Sequence, residues 1–313
     1  MNIRPLLLLA APLAAIASVN EPMRWEWQTG YRNDNLHWHL LNPGDGDELT
    51  YTEHYRNLQF WENALALRVI YRDIAVFARG AGSFGNGSLK QSFANLPYTF
   101  EEPQLCFSTS VWAMEGWGYF GYAVNLTADR LYKVILIPFL GCSVNYEHLD
   151  RHGSHTATGP AVGAETFSLT STLPGAEKIT IYGPLLGGFF LIEPGGQFQL
   201  EAGYAYHWLH LRFKSKNHTQ ATLFNAGSPV SQTEALNTLT VKDGSNLGHS
   251  GWARIDGLVT KEWRCGLFAQ IQYFSSRVLS VTLQDKTNHT STPQKYKARW
   301  TAVSGGATIS RTF

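Results

Sequence analysis

The residues of this chain that could most readily carry out chemistry are ionisable side chains that recur on alternate residues. Because alternate residues of an extended chain share one face, such runs would place charges along one side of a sheet. The acidic and basic members are nearly balanced, which suits either mutual ion pairing in a closed polar core or a narrow, weakly selective, water-filled pore. The set predicted to face inward is Glu26, Glu62, Arg68, Arg79, Lys133, Glu147, Glu201, His207, Arg254, Asp256, Arg264, Lys297 and Arg299.

Two histidines in the first of these runs, His37 and His39, raise the question of metal binding. They share one strand face and would ligate zinc if a neighbouring strand supplied a third ligand. Two inward-facing histidines in a strand more commonly serve as polar filling. We therefore assign both residues to the interior lining, and predict no metal site and no cofactor.

The composition limits the class of protein that carries these charges. The 313 residues are 44% hydrophobic, 13% aromatic and only 16% charged, with a formal net charge of +1. This charge gives no basic field that would recruit nucleic acid, and the aromatic content excludes a disordered chain. Three cysteines cannot form a disulfide framework in a chain of this length.

The apolar residues are distributed on alternate positions, which is typical of strands with two unlike faces. The clearest run spans residues 197–208, where Phe198, Leu200 and Tyr204 alternate with polar or small residues. The runs reach ten or more residues, their aromatics cluster at the ends, and their charges lie on the inner face. These features favour a transmembrane β-barrel over a soluble sandwich, which would place its charges outside.

The predicted fold is all-β: a transmembrane, antiparallel, up-and-down barrel of about ten strands with short periplasmic turns and long external loops. The long loops are expected at residues 42–52, 83–103, 148–178, 215–248 and 280–295. Cys142 and Cys265 should face lipid, and Cys106 should begin a strand. The strands are expected at residues 24–41, 53–71, 74–82, 104–125, 131–147, 178–192, 197–214, 249–259, 264–278 and 296–313.

The two chain ends indicate export to the bacterial outer membrane. Arg4, an apolar stretch and Ala15-Ile16-Ala17 match a cleavable signal peptide. The domains are therefore a signal peptide at residues 1–17 and a barrel at residues 18–313. The final residue, Phe313, is an aromatic of the kind that serves as a C-terminal assembly signal in such barrels.

Three short segments carry a family resemblance. They are Gly30-Tyr31-Arg32-Asn33-Asp34-Asn35-Leu36-His37-Trp38, Ile137-Pro138-Phe139-Leu140-Gly141 and Tyr182-Gly183-Pro184-Leu185-Leu186-Gly187. On these segments the chain resembles the Protochlamydia outer membrane protein family, an omptin-like barrel family of environmental chlamydiae. The resemblance implies an envelope barrel with five external loops.

The same resemblance raises the question of omptin chemistry. Omptins are proteases that activate water between an Asp pair and an Asp-His pair in the external cleft. Here the segment from residue 74 to residue 128, which would supply the first pair, contains no Asp. In the other loop only His218 matches, and no neighbouring carboxylate orients it. We therefore predict that the protein is not an enzyme.

The expected function is that of a narrow porin-like channel or a structural envelope protein. The alternatives are an omptin-like surface protease with altered catalytic residues and a binding barrel or adhesin that acts through its loops. Expected partners are outer-membrane lipid or lipopolysaccharide and the outer-membrane assembly machinery, with small solutes or a host-surface partner as further ligands and no nucleic acid.

Overall fold

The computed structural model describes residues 21–41, 49–93, 104–127, 132–152, 155–160, 165–172, 175–194, 196–225, 228–276, 279–285 and 290–313. All regular elements in these residues are strands, joined in one antiparallel sheet. The predicted signal peptide lies outside the described residues. Within them, no helix has the length and apolarity needed to span a bilayer.

The strands close into a ten-stranded barrel, which confirms the predicted fold and strand count. Around the barrel the order is β1-β2-β3-β4-β6-β9-β10-β11-β12-β14, and β14 pairs with β1 to close the wall. The strands are β1 (Glu21–Leu41), β2 (Leu49–Tyr71), β3 (Ile74–Phe93), β4 (Gln104–Tyr122), β5 (Val124–Asn125), β6 (Tyr132–His152), β7 (His155–Pro160), β8 (Glu165–Thr172), β9 (Ala176–Pro194), β10 (Phe198–Asn225), β11 (Ser228–Leu258), β12 (Trp263–Ser276), β13 (Leu279–Asp285) and β14 (Thr290–Thr312).

Four of these elements extend the wall rather than add to its circumference. β5 follows β4 along β6, and β13 follows β12 between β11 and β14. β7 and β8 form a hairpin that joins the sheet through the outer part of β10. The wall is therefore taller on one end than the membrane requires, since a membrane-spanning strand needs only about 9–11 residues.

Four of the predicted external loops are wrong in extent because the strands continue through much of them. In the predicted loop at residues 280–295, β13 and the start of β14 are strands. Residues 215–248 lie almost wholly in the β10–β11 hairpin, and β3 runs on to Phe93. β6 to β9 occupy most of residues 148–178. The sequence signal fades there because the wall has left the bilayer, and its outer face no longer needs to be apolar.

The turn between β2 and β3 shows why the other end of the barrel is compact. Arg72 and Asp73 both have positive φ, at 48° and 69°, and Tyr71 pairs directly with Ile74. Two consecutive left-handed residues match the twist of the flanking strands. This is one of the short turns expected from the sequence, and it lies at the end of the barrel where β1 begins and β14 ends.

A belt of exposed apolar side chains surrounds the barrel near this compact end. It includes Leu65, Leu140 and Leu267, each more than 60% exposed, and the free thiols of Cys142 and Cys265 also face outward. An apolar outer wall at this height is the surface that contacts lipid in membrane barrels. The thiol of Cys106 lies outside the described side chains.

Beyond the belt the pattern of the wall is inverted. In β1, Trp25 and Trp27 point outward at the height of the belt. Farther along the strand, beyond the belt, Leu36, Trp38 and Leu40 are buried inside the barrel. They belong to a large apolar core that fills the outer half of the barrel. Where the outer face meets water, the apolar side chains turn inward, as in a soluble protein.

Candidate functional site

Charged side chains fill the barrel interior in three clusters along its length. In the cluster nearest the compact end, Arg24 contacts Asp256 at 2.8 Å and Arg68 contacts Glu201 at 2.6 Å. Arg254 pairs with Asp256 at 2.6 Å and also with Glu26. All of these side chains are at most 15% exposed, so the charges neutralise one another inside the barrel.

The central cluster is organised around two arginines. The guanidinium of Arg32 donates to Asp34 at 2.8 Å and to Glu147 at 3.0 Å. Arg79 contacts Glu62 at 2.5 Å and Glu115 at 3.1 Å. Two cations therefore face four carboxyl groups, which leaves the middle of the lumen acidic when all are ionised.

The outer cluster lies beyond the belt, surrounded by the apolar core. Arg151 donates to both oxygens of Glu53 at 2.9 Å and also contacts Glu177; the side chains of all three are fully buried. Ser215 donates to Glu177 at 2.9 Å. Burial holds the pKa of the Glu53 carboxyl well above its usual range; the charge of Arg151 opposes that rise, and Glu177 adds to it.

Some of these contacts join strands on opposite sides of the wall. β2 and β10 are five places apart in the ring of ten strands, as are β4 and β12. Arg68 and Glu201 bridge the first pair, and Gln272 donates to Glu115 across the second at 3.2 Å. Side chains therefore meet across the lumen at these two places.

The spaces left between these clusters are small. One, between Arg24 and Trp252, has a volume of ≈ 40 Å³, and another, beside His207, has ≈ 20 Å³. Since a water molecule needs about 10–15 Å³ of such volume, these cavities accommodate a few waters.

Most of the residues predicted to face inward do so in the structure. His207 contacts Ser143 at 3.2 Å and Ser250 at 2.8 Å, which is a polar filling role. Lys133, whose side chain is 37% exposed, lies 3.8 Å from Glu193 near the rim. The residues on the inner face are Glu26, Glu62, Arg68, Arg79, Lys133, Glu147, Glu201, His207, Arg254, Asp256 and Arg264.

Four residues of the predicted set lie on the outer face instead. His37 and His39 alternate with the buried side chain of Trp38, and Lys297 and Arg299 alternate with buried residues of β14. The prediction failed because it treated polar residues as inward-facing along the whole strand. That rule holds inside the bilayer and reverses above it.

Seven charged residues that lie deep in the interior were missed by the sequence prediction. Arg24, Arg32 and Asp34 are separated from Glu26 by an even number of positions along β1. The alternation that placed Glu26 inside therefore also predicts that these three face inward. Glu53 does not share the parity of Glu62, because a bulge at residues 56–59 shifts the register of β2, with Asn57 at φ 51°. The missed residues are Arg24, Arg32, Asp34, Glu53, Glu115, Arg151 and Glu177.

A protease-like arrangement does not assemble among the described side chains. His148 contacts Asp150 at 3.0 Å, but this pair lies on the outer face of β6, with Leu149 buried between them. The side chain of His218 lies outside the described set. Among the residues whose positions are described, no group of three His, Cys, Asp or Glu could hold a metal ion.

Comparison with known proteins assigns the chain to a family. The family model described as Protochlamydia outer membrane protein matches residues 26–313. The chain belongs to the Protochlamydia outer membrane protein family. It is therefore an outer-membrane β-barrel protein, as the sequence resemblance had indicated. No curated protein matches it.

The fold of this family member is similar to that of an omptin. It superposes on outer membrane protease OmpT from Escherichia coli with a TM-score of 0.64 and 13% identity, covering 96% of this chain and 99% of the other. The translocator domain of autotransporter NalP from Neisseria meningitidis gives a TM-score of 0.31 and 11% identity, with 99% and 94% coverage. At these identities the omptin likeness shows the fold and nothing about activity.

Proposed function

We propose that this protein is a closed, non-enzymatic barrel that serves a structural role in the bacterial outer membrane. The observation that carries this proposal is the set of side-chain bridges across the lumen, above all Arg68 with Glu201 and Gln272 with Glu115. An ion crossing the barrel would have to pass three buried charge clusters and an apolar core. The other function expected from the sequence, that of a narrow porin-like channel, is less well supported by this packing.

Opening such a lumen would be energetically unfavourable. Separating a buried ion pair leaves uncompensated charges, and breaking one by removing a partner costs about 3–5 kcal/mol. Each of the three clusters contains more than one pair, and their partners come from different strands. The network therefore stabilises the barrel wall as well as blocking the path.

The same packing supports the proposal that the protein is not an enzyme. A general base must reach its substrate within hydrogen-bonding distance, but Glu53, Glu177 and Asp34 are completely buried. Their acceptor atoms face Arg151 and Arg32 rather than an open cleft. These three carboxyl groups thus have a structural role.

The test is to insert the refolded chain into a planar bilayer and record single-channel currents. Wild type should give no discrete steps, whereas Arg68→Ala with Arg32→Ala should produce conducting events. Arg311→Gln is the matched control, since its pair with Glu262 at 3.0 Å lies at the exposed rim. Regular wild-type steps whose ion selectivity changes when Arg254 is reversed in charge would instead establish a pore.

A second candidate function is loop-mediated binding, favoured by the height of the outer wall. β10 and β11 contain 28 and 31 residues, and β8 pairs with the outer part of β10. The outer parts of β10 and β11 together with β7 and β8 form a four-stranded extension, which would present a continuous surface outside the cell. Shortening the β10–β11 hairpin at residues 219–235 should abolish host-cell or partner binding without changing insertion; unchanged binding would exclude this role.

A further inference from the structure

Basic side chains form a continuous patch on the outer face of four neighbouring strands, immediately beyond the lipid belt. We call the following seven residues the basic patch: Lys297 and Arg299 of β14, His37 and His39 of β1, His54 and Arg56 of β2, and Lys90 of β3. All lie on the outside of the wall, partly or largely exposed. The function proposed above uses none of them.

The strand register places these bases directly opposite one another. Three cross-strand pairs join a histidine to a lysine or an arginine: His37 with Arg299, His39 with Lys297, and His54 with Lys90. His37 also pairs with His54, with ring centroids 5.1 Å apart. Each of these three cations therefore faces a histidine and not a carboxylate across the sheet, which leaves its charge available to an external anion.

No carboxylate balances these cations within the described part of this surface. On the outer positions of β14, β1, β2 and β3 beyond the belt, the described side chains are basic, amide, hydroxyl or apolar. The guanidinium of Arg56 donates to Nδ1 of His54 at 3.2 Å. Burial and then the charges of Arg56, His37 and Lys90 lower the pKa of His54 to about 4.

The order of residue types along each strand matches the depth profile of a lipid leaflet. In β1, exposed Tyr31 is followed outward by Asn33 and Asn35 and then by the histidines. The same order, from apolar through uncharged polar to basic, runs from Trp61 to Arg56 in β2 and from Phe84 to Lys90 in β3. A ligand that fits this order has acyl chains, a neutral polar body and anionic groups.

We propose that the basic patch binds the phosphorylated headgroup of an outer-leaflet glycolipid, with phosphates held by Arg299, Lys297, Arg56 and Lys90 and acyl chains along the belt below. Strands lie about 4.8 Å apart, so bases on four adjacent strands span about 14 Å, and one headgroup can contact several of them. The inference rests on the outer-membrane location and not on whether the lumen is closed.

The test is to measure the affinity of the refolded full chain for lipid A that carries both phosphates, presented in mixed detergent micelles. The variant is Lys297→Gln with Arg299→Gln. Since each basic residue near an anionic lipid surface contributes about a fivefold gain in affinity, the double variant should bind roughly 25-fold more weakly. Dephosphorylated lipid A should bind wild type even more weakly than the variant binds lipid A, because it also loses the contacts with Arg56 and Lys90.

The matched control is Lys178→Gln with Lys214→Gln. These lysines are also exposed and directly paired, but lie on β9 and β10, away from the patch. The control should retain wild-type affinity, and both variants should show the same heat-dependent gel shift as folded wild type.

Three results would overturn the proposal. Equal loss in both variants would mean general electrostatic attraction, and no loss in the patch variant would exclude the site. Equal stabilisation of wild type by inorganic phosphate and by lipid A would exclude a headgroup as the ligand.

Discussion

Removal of the Arg151 charge is the perturbation whose outcome follows most directly from the structure. In Arg151→Met, the fully buried carboxyl groups of Glu53 and Glu177 lose their shared cation, and the guanidinium bonds to Glu53 and to Tyr55 at 3.2 Å are lost. Breaking a buried pair in this way costs about 3–5 kcal/mol of unfolding free energy. The triple variant with Glu53→Gln and Glu177→Gln should regain most of that loss.

The pH dependence of this loss gives a second, independent measure. Burial already raises the pKa of Glu53 in the folded protein, and Arg151 opposes that rise. Without Arg151 the folded-state pKa rises further. A group with a raised folded pKa contributes stability that is present below its unfolded pKa and lost as pH rises through the folded pKa. The deficit of the single variant should therefore grow from pH 5 to pH 8.

The assay is equilibrium unfolding by urea in phospholipid vesicles, followed by tryptophan fluorescence and by the gel shift of the folded barrel. Arg151→Lys is the conservative control and should lose less than Arg151→Met, because it retains the charge. A loss below about 1 kcal/mol in Arg151→Met, or one that is independent of pH, would refute the view that this cluster is a buried and tightly coupled ion pair.

Four further outcomes are expected. In Gly203→Val the new side chain would displace the indole of Trp252, which covers this glycine from the neighbouring strand; overpacking should cost about 1–3 kcal/mol in urea unfolding. His54, with a pKa of about 4, should remain neutral at pH 5.5 by NMR, and lowering the pH from 6.5 to 4 should destabilise wild type more than His54→Asn. Cys142 should react with a lipid-soluble maleimide but not with a charged one in the folded protein. Deletion of Phe313, whose amide donates to Met23 at 3.0 Å, should slow barrel assembly.

Each of these predictions has a contrasting outcome. Gly251→Ala is the control for the glycine, since an added Cβ there would meet only ordinary contacts, the nearest with Ile271 at 3.7 Å; equal losses would exclude the indole clash. If His54 titrated near 6.5, the effect of burial and of the neighbouring cations on its pKa would be contradicted. Rapid labelling of the thiol by the charged reagent would place it in water. Substitution of Val259, also exposed near the rim, should leave assembly unchanged, and an equal effect would deny Phe313 a specific role.

The fold was predictable because a membrane barrel repeats one rule along every strand. Inside the bilayer the outer wall must be apolar and the interior can hold charge, so Leu65 and Leu67 against Ala66 and Arg68 reveal both the strand and its facing. Ten such runs predicted the ten strands that close the barrel. The same rule correctly placed Arg68, Arg79 and Glu201 in the interior.

What the sequence determined by itself is therefore the class of fold, the strand count and the inner face within the bilayer. Only the tertiary structure decided which charges meet, because Arg68 and Glu201 are 133 residues apart and become partners by barrel closure. It also determined that Glu53 faces inward, because of the bulge in β2. His37 faces outward because this part of the wall lies in water, beyond the bilayer. Alternation in the sequence shows that a strand has one apolar and one polar face. Whether the surroundings are lipid or water determines which of the two faces turns inward.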